Sequence, residues 1–307
     1  MVTGTVVTGT VVTGDPGSRR AGRRGGRSGG RSGGAPEGFD LVSGIPFLLL
    51  HLAPFALVLV GFSVGDLVLA VGLYVTRMFF ITAGYHRYFS HRSYRLSRPV
   101  QLIMAVGGVT AAQKGPLWWA GHHRRHHRST DSPGDPHSPN DGWWWSHAGW
   151  VLSRRSKRGE PALVTDLAAF PELRFVDRYQ AAGPWLLGGL CFAVAGWGGL
   201  VAFAVSTVAL WHATFSVNSV AHRLGRRRYE TPDTSRNSWP VALLTLGEGW
   251  HNNHHHYPPS ARQGHRWWEL DLTYLALRTM AAFHLLSDLR EPTARVLAAR
   301  PARSLSR

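Results

Sequence analysis

The chain holds a single cysteine, Cys191, set inside an apolar stretch. Disulfide frameworks within one chain and multi-thiolate metal sites are therefore excluded. Acidic residues are also scarce: 18 Asp and Glu stand against 34 Lys and Arg, giving a formal net charge of +16 and a pI near 11.2. Such an excess fits either nucleic acid or an anionic membrane face. Nucleic acid is not the expected partner, because the arginines are spread over several loops without a helix-turn-helix, zinc-finger or RNP pattern. No signal-peptide core with a small-residue cleavage site is found. The mean hydropathy, −0.12, is that of a soluble chain. That average misleads, since the apolar residues are concentrated in a few long blocks.

Residues 1–38 are low in complexity, opening on a Val-Thr-Gly near-repeat and turning Arg/Gly/Ser-rich, and a disordered tail is expected there. From Leu41 to Gly84 the chain is almost continuously apolar, with one break at Gly61, Ser63, Gly65 and Asp66. A second block runs from Gly183 to Val220, with Trp197, Gly198 and Gly199 at its middle. About 20 apolar residues cross the roughly 30 Å of a bilayer's hydrocarbon. The expected fold is an all-α membrane protein: four transmembrane helices, about 41–61, 66–84, 183–197 and 199–220, in two hairpins. They would belong to one domain, 39–290, with a cytoplasmic helical part and a basic C-terminal tail, 291–307. The turns near 61–66 and 196–199 contain no Lys or Arg, whereas the segments before 41, from 85 to 182 and beyond 221 are rich in them. By the positive-inside rule both termini and the central segment are cytoplasmic.

What the chain has in abundance is histidine, 17 residues. Three clusters stand out: His86-Arg-Tyr-Phe-Ser-His91, His122-His-Arg-Arg-His-His127 and His251-Asn-Asn-His-His-His256. Neutral imidazole is a common ligand for transition metals. His123, His126 and His127, and likewise His251, His254 and His255, have the spacing of one helical face. His86 and His91 are five apart, about 140° around an ideal helix. They converge only if the helix ends or distorts between them. A metal transporter is the competing non-enzyme reading, and it predicts ligands inside the spans. A single hydrolytic zinc keeps three protein ligands and an open position; this many imidazoles suit two ions.

Several motifs together carry a resemblance: Gly84-Tyr-His-Arg-Tyr-Phe-Ser-His91, Trp119-Ala-Gly-His-His-Arg-Arg-His-His127, Asp135-Pro-His137, Ser146-His-Ala-Gly-Trp150, Asn218-Ser-Val-Ala-His222 and Gly247-Glu-Gly-Trp-His-Asn-Asn-His-His255. Over roughly residues 41–290 the chain resembles the integral-membrane acyl-CoA Δ9 desaturases of the stearoyl-CoA type. The resemblance implies a histidine-box, non-haem di-iron site. Its ligands would be His86, His91, His123, His126, His127, His222, His251, His254 and His255, with Asn218 holding an iron-bound water. O2 would be the co-substrate, two hydrogens would leave adjacent carbons, and a cis double bond and water would form. No side chain breaks an unactivated C–H bond by acid–base chemistry, so a cofactor must carry that step. A histidine-box hydroxylase or monooxygenase shares this chemistry and is told apart by its product.

The same resemblance points to substrate residues. Gln113, Trp119, Trp145, Thr214 and Trp250 would wall an acyl tunnel, with ordinary packing as the alternative for each. Tyr74 precedes His86 by twelve residues, about 18 Å along a helix. It either closes the tunnel or faces lipid or another helix. Arg154 and Arg155 match positions that meet CoA phosphates; anionic lipid is the alternative partner. Gly121 and His122 stand where the animal enzymes carry an arginine–aspartate pair that helps hold CoA, so an acyl-lipid substrate stays open beside acyl-CoA. No cytochrome b5-like His-Pro-Gly-Gly segment and no ferredoxin cysteines occur. The expected electron donor is a separate protein, a ferredoxin or a flavin–iron–sulfur reductase. His122 and His256 are expected outside the ligand set, with His137 and His147 orienting loops or ligands. Glu248 is either an acceptor behind the ligands or a solvated loop residue. The stretch Trp267 to Leu289 either packs on the cytoplasmic part or lies at the membrane interface.

Overall fold

A computed structural model of the protein describes residues 38–56, 59 and 61–299. Residues 1–37 of the expected N-terminal tail, and 300–307 of the C-terminal one, lie outside them. Helix α1 (Leu41–Leu52) passes into a 3-10 turn, Ala53–Ala56. Pro54 ends the α geometry, because it lacks an N–H and disfavours helical backbone in the residue before it. Of the expected 41–61 span, residues 57, 58 and 60 lie outside the description, and residue 59 is again helical.

The Gly/Ser/Asp break in the first apolar block is a helix start. Helix α2 (Val64–Phe79) opens on a capping box, in which the Ser63 hydroxyl accepts from the Asp66 amide (3.1 Å) and the Asp66 carboxylate accepts from the Ser63 amide (2.9 Å). It continues into a π-helical segment, Phe80–Ser90, making one apolar rod from Val64 to Ser90.

Beside this rod lie α3 (Arg98–Val109), α4 (Pro116–Ser129), α5 (Thr165–Ala168) and α6 (Pro171–Arg178). The start of α4 is capped from a distance. Asp177 of α6 accepts from the amides of Leu117 (2.9 Å) and Trp118 (3.0 Å). A Cβ at Gly115 would lie 2.2 Å from the same carboxylate, so glycine alone fits there. Removing such a cap costs about 1–2 kcal/mol. Asp177→Ala should therefore lower the unfolding temperature in detergent, and Asp177→Asn, which can still accept, should lower it less.

Helix α7 (Ala182–Ser219) reads as one helix, but the backbone departs from helical geometry at Ala195 and Gly196. A Cβ on Gly199 would fall 2.1 Å from the Cys191 carbonyl oxygen, whereas residues eight apart on a straight helix are about 12 Å apart. The chain therefore doubles back, using at Gly196 a φ of +55° that glycine adopts without strain. The turn sits beside the start of α2, since a Cβ on Gly198 would lie 2.6 Å from an Asp66 carboxylate oxygen. Arg77 of α2 is buried against the second arm, donating to Ser206 (2.6 Å) and Thr207 (2.7 Å). An arginine in an apolar rod thus faces the interior of the bundle. Among the described residues, Val64–Ser90 and the stretch Ala182–Ser219, the latter divided by its reversal at Ala195 and Gly196, are the two long and apolar enough to cross a bilayer.

The rest of the chain folds back over the π segment as α8 (Trp239–Leu244), α9 (His251–His256), α10 (Leu272–Ala282) and α11 (Ala294–Leu297). Strand β1 (Arg95–Leu96) pairs antiparallel with β2 (Leu286–Ser287). Arg87, fully buried, pairs with Glu248 (3.0 Å) and Asp271 (2.9 Å). Thr82 and Thr273 hydroxyls meet at 2.8 Å. The stretch from Trp267 to Leu289 is thereby held against the π segment, while Trp267 and Trp268 remain exposed.

Candidate metal centre

The distortion anticipated between His86 and His91 is the π segment itself. Its wider turn bonds residues five apart, and the His91 amide meets the His86 carbonyl at 3.3 Å. The two rings come to 4.9 Å, edge to face. Helix α4 presents His123, His126 and His127; α9 presents His251, His254 and His255; His222 sits just after α7. These nine imidazoles form two groups in which the ligand atoms all lie within 4.8 Å of one another. One is His86, His91, His123, His127 and His254, the other His126, His222, His251 and His255.

Within the first group Nε2 atoms face one another: His86–His254 at 3.1 Å, His91–His123 at 2.8 Å, His123–His127 at 3.0 Å and His127–His254 at 3.0 Å. In the second, His222 and His251 meet Nε2 to Nε2 at 3.0 Å. The buried Nε2 atoms of His126 and His255 have no partner among the described residues.

Four carboxylates account for four of the nine, the Nε2 atoms of His86, His126, His222 and His255, facing inward as lone pairs. Glu248 lies 2.5 Å from His86 Nδ1, Asp135 3.0 Å from His126 Nδ1, Asp131 3.3 Å from His222 Nδ1 and Asp233 2.9 Å from His255 Nδ1. A neutral imidazole carries one N–H. Donated to the carboxylate at His86, His126 and His255, and at His222 placed between Asp131 and the Thr234 hydroxyl (3.3 Å), it leaves Nε2 as an acceptor aimed at other acceptors. Such an arrangement calls for a cation between them, and a carboxylate behind a ligating imidazole is the usual support. The spacing agrees: two nitrogens about 2.1 Å from one ion, at right angles, stand about 3.0 Å apart. The donor set therefore fits two first-row transition-metal ions.

Burial and the neighbouring imidazoles hold His123, His127, His251 and His254 well below the ordinary histidine pKa, and burial brings His255 to about 4. All five thus present the neutral form that ligates. Burial works against an ionised Glu248, but His86, Arg87 and Gln263 outweigh it and hold the carboxyl at about 2.

The residues between the ligands on α9 face away from the two groups. The Asn252 side-chain oxygen accepts from the amides of Arg228 and Tyr229, both at 2.7 Å. Asn253 donates to the Gln263 carbonyl (2.8 Å) and to Glu269 (2.9 Å). His256 stacks on Tyr229, off the ligand face as expected. His122 stacks on Trp118 and pairs with its carbonyl, 2.9 Å away. His137 packs on the His126 ring. His147 pairs with His212 and Ser219, both at 2.9 Å.

An apolar cavity of about 960 Å³ opens beside the first group, with His86, His123 and His251 in its wall. Gln113, Trp119, Thr214 and Asn218 also line it. Gln113 joins two of them, donating to Thr214 (2.9 Å) and accepting from Trp119 (3.3 Å). Three expected tunnel residues lie elsewhere. The Tyr74 hydroxyl donates to the Leu244 carbonyl at 2.6 Å, which turns the ring towards α8 and away from the cavity. Trp250 donates to the Leu270 carbonyl (2.8 Å) and borders a separate hollow with Trp239 and Leu272. Trp145 is outside the wall, and Trp150, five residues on across a π turn, lines it instead. Arg154 and Arg155 are exposed on a 3-10 turn just beyond the lining residues Val151 and Leu152. Sequence reasoning missed Asp131 and Asp233 altogether; the one available sign was an acidic residue in a loop of an otherwise basic chain.

The sequence profile of the fatty acid desaturase family matches residues 48–290. The chain is 37% identical to an sn-1 stearoyl-lipid 9-desaturase of Anabaena variabilis over 81% of its own length and 93% of that protein. It is 39% identical to the acyl-CoA 5-desaturase AL21 of Anemone leveillei, over 82% and 78% respectively. A palmitoyl-monogalactosyldiacylglycerol delta-7 desaturase of Arabidopsis thaliana is 39% identical over 73% of this chain and 62% of its own. With most of its length matched, and with histidine groups that can hold metal at the wall of an apolar cavity, this chain belongs to the fatty acid desaturase family and is an oxidoreductase of that kind.

Proposed function

We propose that the protein inserts a cis double bond, at Δ9, into a saturated fatty acyl chain held in the apolar cavity. The nine histidines would hold two iron ions. The observation that carries this reading is the placement of the two histidine groups at the wall of that cavity. Bound iron supplies the oxidising chemistry, with O2 and two external electrons, that removes hydrogen from adjacent methylenes.

The chain's own residues position and protect. The four carboxylates would fix the tautomers of His86, His126, His222 and His255. Trp119 stacks on His123 at 5.0 Å and, through Gln113, is braced against Thr214. That brace fixes one wall next to the reacting carbons. The apolar lining excludes water from them.

In the same reading the protein is a multi-pass membrane protein with four crossings. The first starts with α1, α2 is the second, and the two arms of α7 are the third and fourth. The histidine side, flanked by the arginine-rich segments, faces the cytoplasm. A separate redox protein, a ferredoxin or a flavin–iron–sulfur reductase, delivers electrons. Both lipid-linked and CoA-linked acyl chains are named for the relatives, and the substrate belongs to one of these classes.

Expression in a desaturase-deficient host, followed by fatty-acid analysis, tests the proposal. A new cis-Δ9 monounsaturated acid is the expected product. A hydroxy acid would point to a hydroxylase instead, and an unchanged profile from correctly inserted protein would refute the reading.

A further inference from the structure

Behind the second histidine group a buried phenol is held against a buried imidazole. The Tyr229 hydroxyl lies 2.9 Å from His265 Nδ1. The phenol is the donor, because it meets no other acceptor among the described residues. His265 then carries its own proton on Nε2, which is buried without a partner among the described residues. Burial, with the charge of Arg228 next, holds His265 at about 3, so the ring is neutral and its Nδ1 is a lone pair. The tyrosines of the π segment are placed differently. Tyr85 donates to the Lys114 carbonyl (3.1 Å) and Tyr88 to the Gln101 amide oxygen (2.8 Å), neither of which can take up a proton at neutral pH.

The pair is fastened to the helix of the third histidine cluster. The Tyr229 amide donates to Asn252 Oδ1 at 2.7 Å, and its carbonyl accepts from Asn252 Nδ2 at 3.2 Å. The Tyr229 ring stacks on His256, with centroids 4.0 Å apart and planes 12° apart. His256 directly follows His255 of the second histidine group. Glu269 ties down the other side, accepting from the His265 amide (2.7 Å) and from Asn253 (2.9 Å). Beyond His265 the chain reaches solvent within two residues, at Trp267, 88% exposed, whose ring meets that of Trp268 edge to face. Aromatic and imidazole rings thus connect the neighbourhood of the metal centre with the outer surface. A phenol that loses an electron becomes a far stronger acid, and a base already bonded to it takes the proton as the electron leaves.

We propose that Tyr229, with His265 as its proton acceptor, is a redox relay that returns an electron to the metal centre when the centre has been oxidised with no acyl chain in the cavity. The oxidising equivalent then leaves towards Trp267 and Trp268 instead of attacking the ligand histidines. Tyr229 gives one electron to the oxidised centre and its phenolic proton to His265 Nδ1, leaving a neutral tyrosyl radical and an imidazolium. A one-electron reductant arriving at the exposed tryptophans, of the class that supplies the centre, reduces the radical, and His265 returns the proton. The net change is one electron passed from the reductant to the centre. The proposal rests on the desaturase reading above.

The test uses the full-length, iron-loaded protein. Without any acyl substrate it is fully reduced, mixed with O2 and frozen at intervals for electron paramagnetic resonance. A tyrosyl radical should appear, and ring-deuterated tyrosine should narrow its hyperfine structure, which identifies it without any substitution. Tyr229→Phe should lose the signal. His265→Gln, which can accept the hydrogen bond but not the proton, should slow its formation about a hundredfold, the lower end of what a positioned proton acceptor contributes. Given stearoyl-CoA in vesicles of 1-stearoyl-2-oleoyl-phosphatidylcholine, Tyr229→Phe should desaturate at the initial rate of wild type. After incubation with O2 and reductant but no acyl chain, it should lose activity several times faster, with oxidised histidine in the ligand peptides by mass spectrometry. A radical that persists in Tyr229→Phe, or no tyrosyl signal from wild type that desaturates, would overturn the relay and leave the desaturase reading standing. Iron-loaded protein that forms neither the radical nor a double bond would overturn both.

Discussion

His254→Ala should abolish desaturation while the protein still inserts and purifies normally. Its Nε2 faces His86 at 3.1 Å and His127 at 3.0 Å, linking the π segment, α4 and α9 in one group. Alanine there leaves the remaining inward-facing lone pairs without one member of their set. Loss of a partner behind a metal ligand typically costs about 10–100-fold, and loss of the ligand itself should exceed that. Iron should fall from near two per chain towards one. An overexpressed sample carrying zinc is consistent with the same donor set, since zinc competes with Fe(II) at nitrogen sites; its content should fall in parallel. Normal turnover by the variant would remove His254 from the ligand set.

The histidine groups were legible because ligand spacing and helical period coincide. His123, His126 and His127 on α4, and His251, His254 and His255 on α9, share a face by residue number alone. The five-residue step from His86 to His91 announced a distortion, though not that a π turn supplies it. The four supporting carboxylates were harder to find. Asp131, Asp135 and Asp233 sit in loops, where no period ties a residue to a face. Their partners, His222, His126 and His255, lie 91, 9 and 22 positions away in the chain. The tunnel wall was legible at Gln113, Trp119 and Thr214, of which only Trp119 shares a helix with a ligand, His123. Tyr74 was placed from distance along α2, which fixes depth but not direction, and its hydroxyl is drawn to the Leu244 carbonyl on α8. The turn in the second apolar block was expected near 196–199, with Trp197, Gly198 and Gly199 at its middle; the backbone reverses at Ala195 and Gly196, and Gly199 is the residue on which the two arms close.

Asp233→Asn should weaken the second metal position by about 10–100-fold and leave the fold in place. Asp233 accepts from the Ser235 amide through Oδ1 (2.9 Å) and meets His255 Nδ1 through Oδ2 (2.9 Å). Asparagine keeps the size and one acceptor but removes the charge, and it can turn its NH2 towards the imidazole. His255 would then carry its proton on Nε2, the buried nitrogen without a partner, and could no longer ligate. Burial opposes ionisation of Asp233, yet the hydrogen bonds from His255 and Ser235 hold its carboxyl well below the usual range. A carboxyl depressed in this way keeps its contribution above its ordinary pKa and loses it only as the pH falls through the lowered value. The difference between wild type and variant should therefore stay constant across neutral and mildly acidic pH. Iron bound per chain at limiting metal, read alongside turnover, separates this role from a structural one. A variant that binds iron and turns over like wild type would show that Asp233 does not set the His255 tautomer.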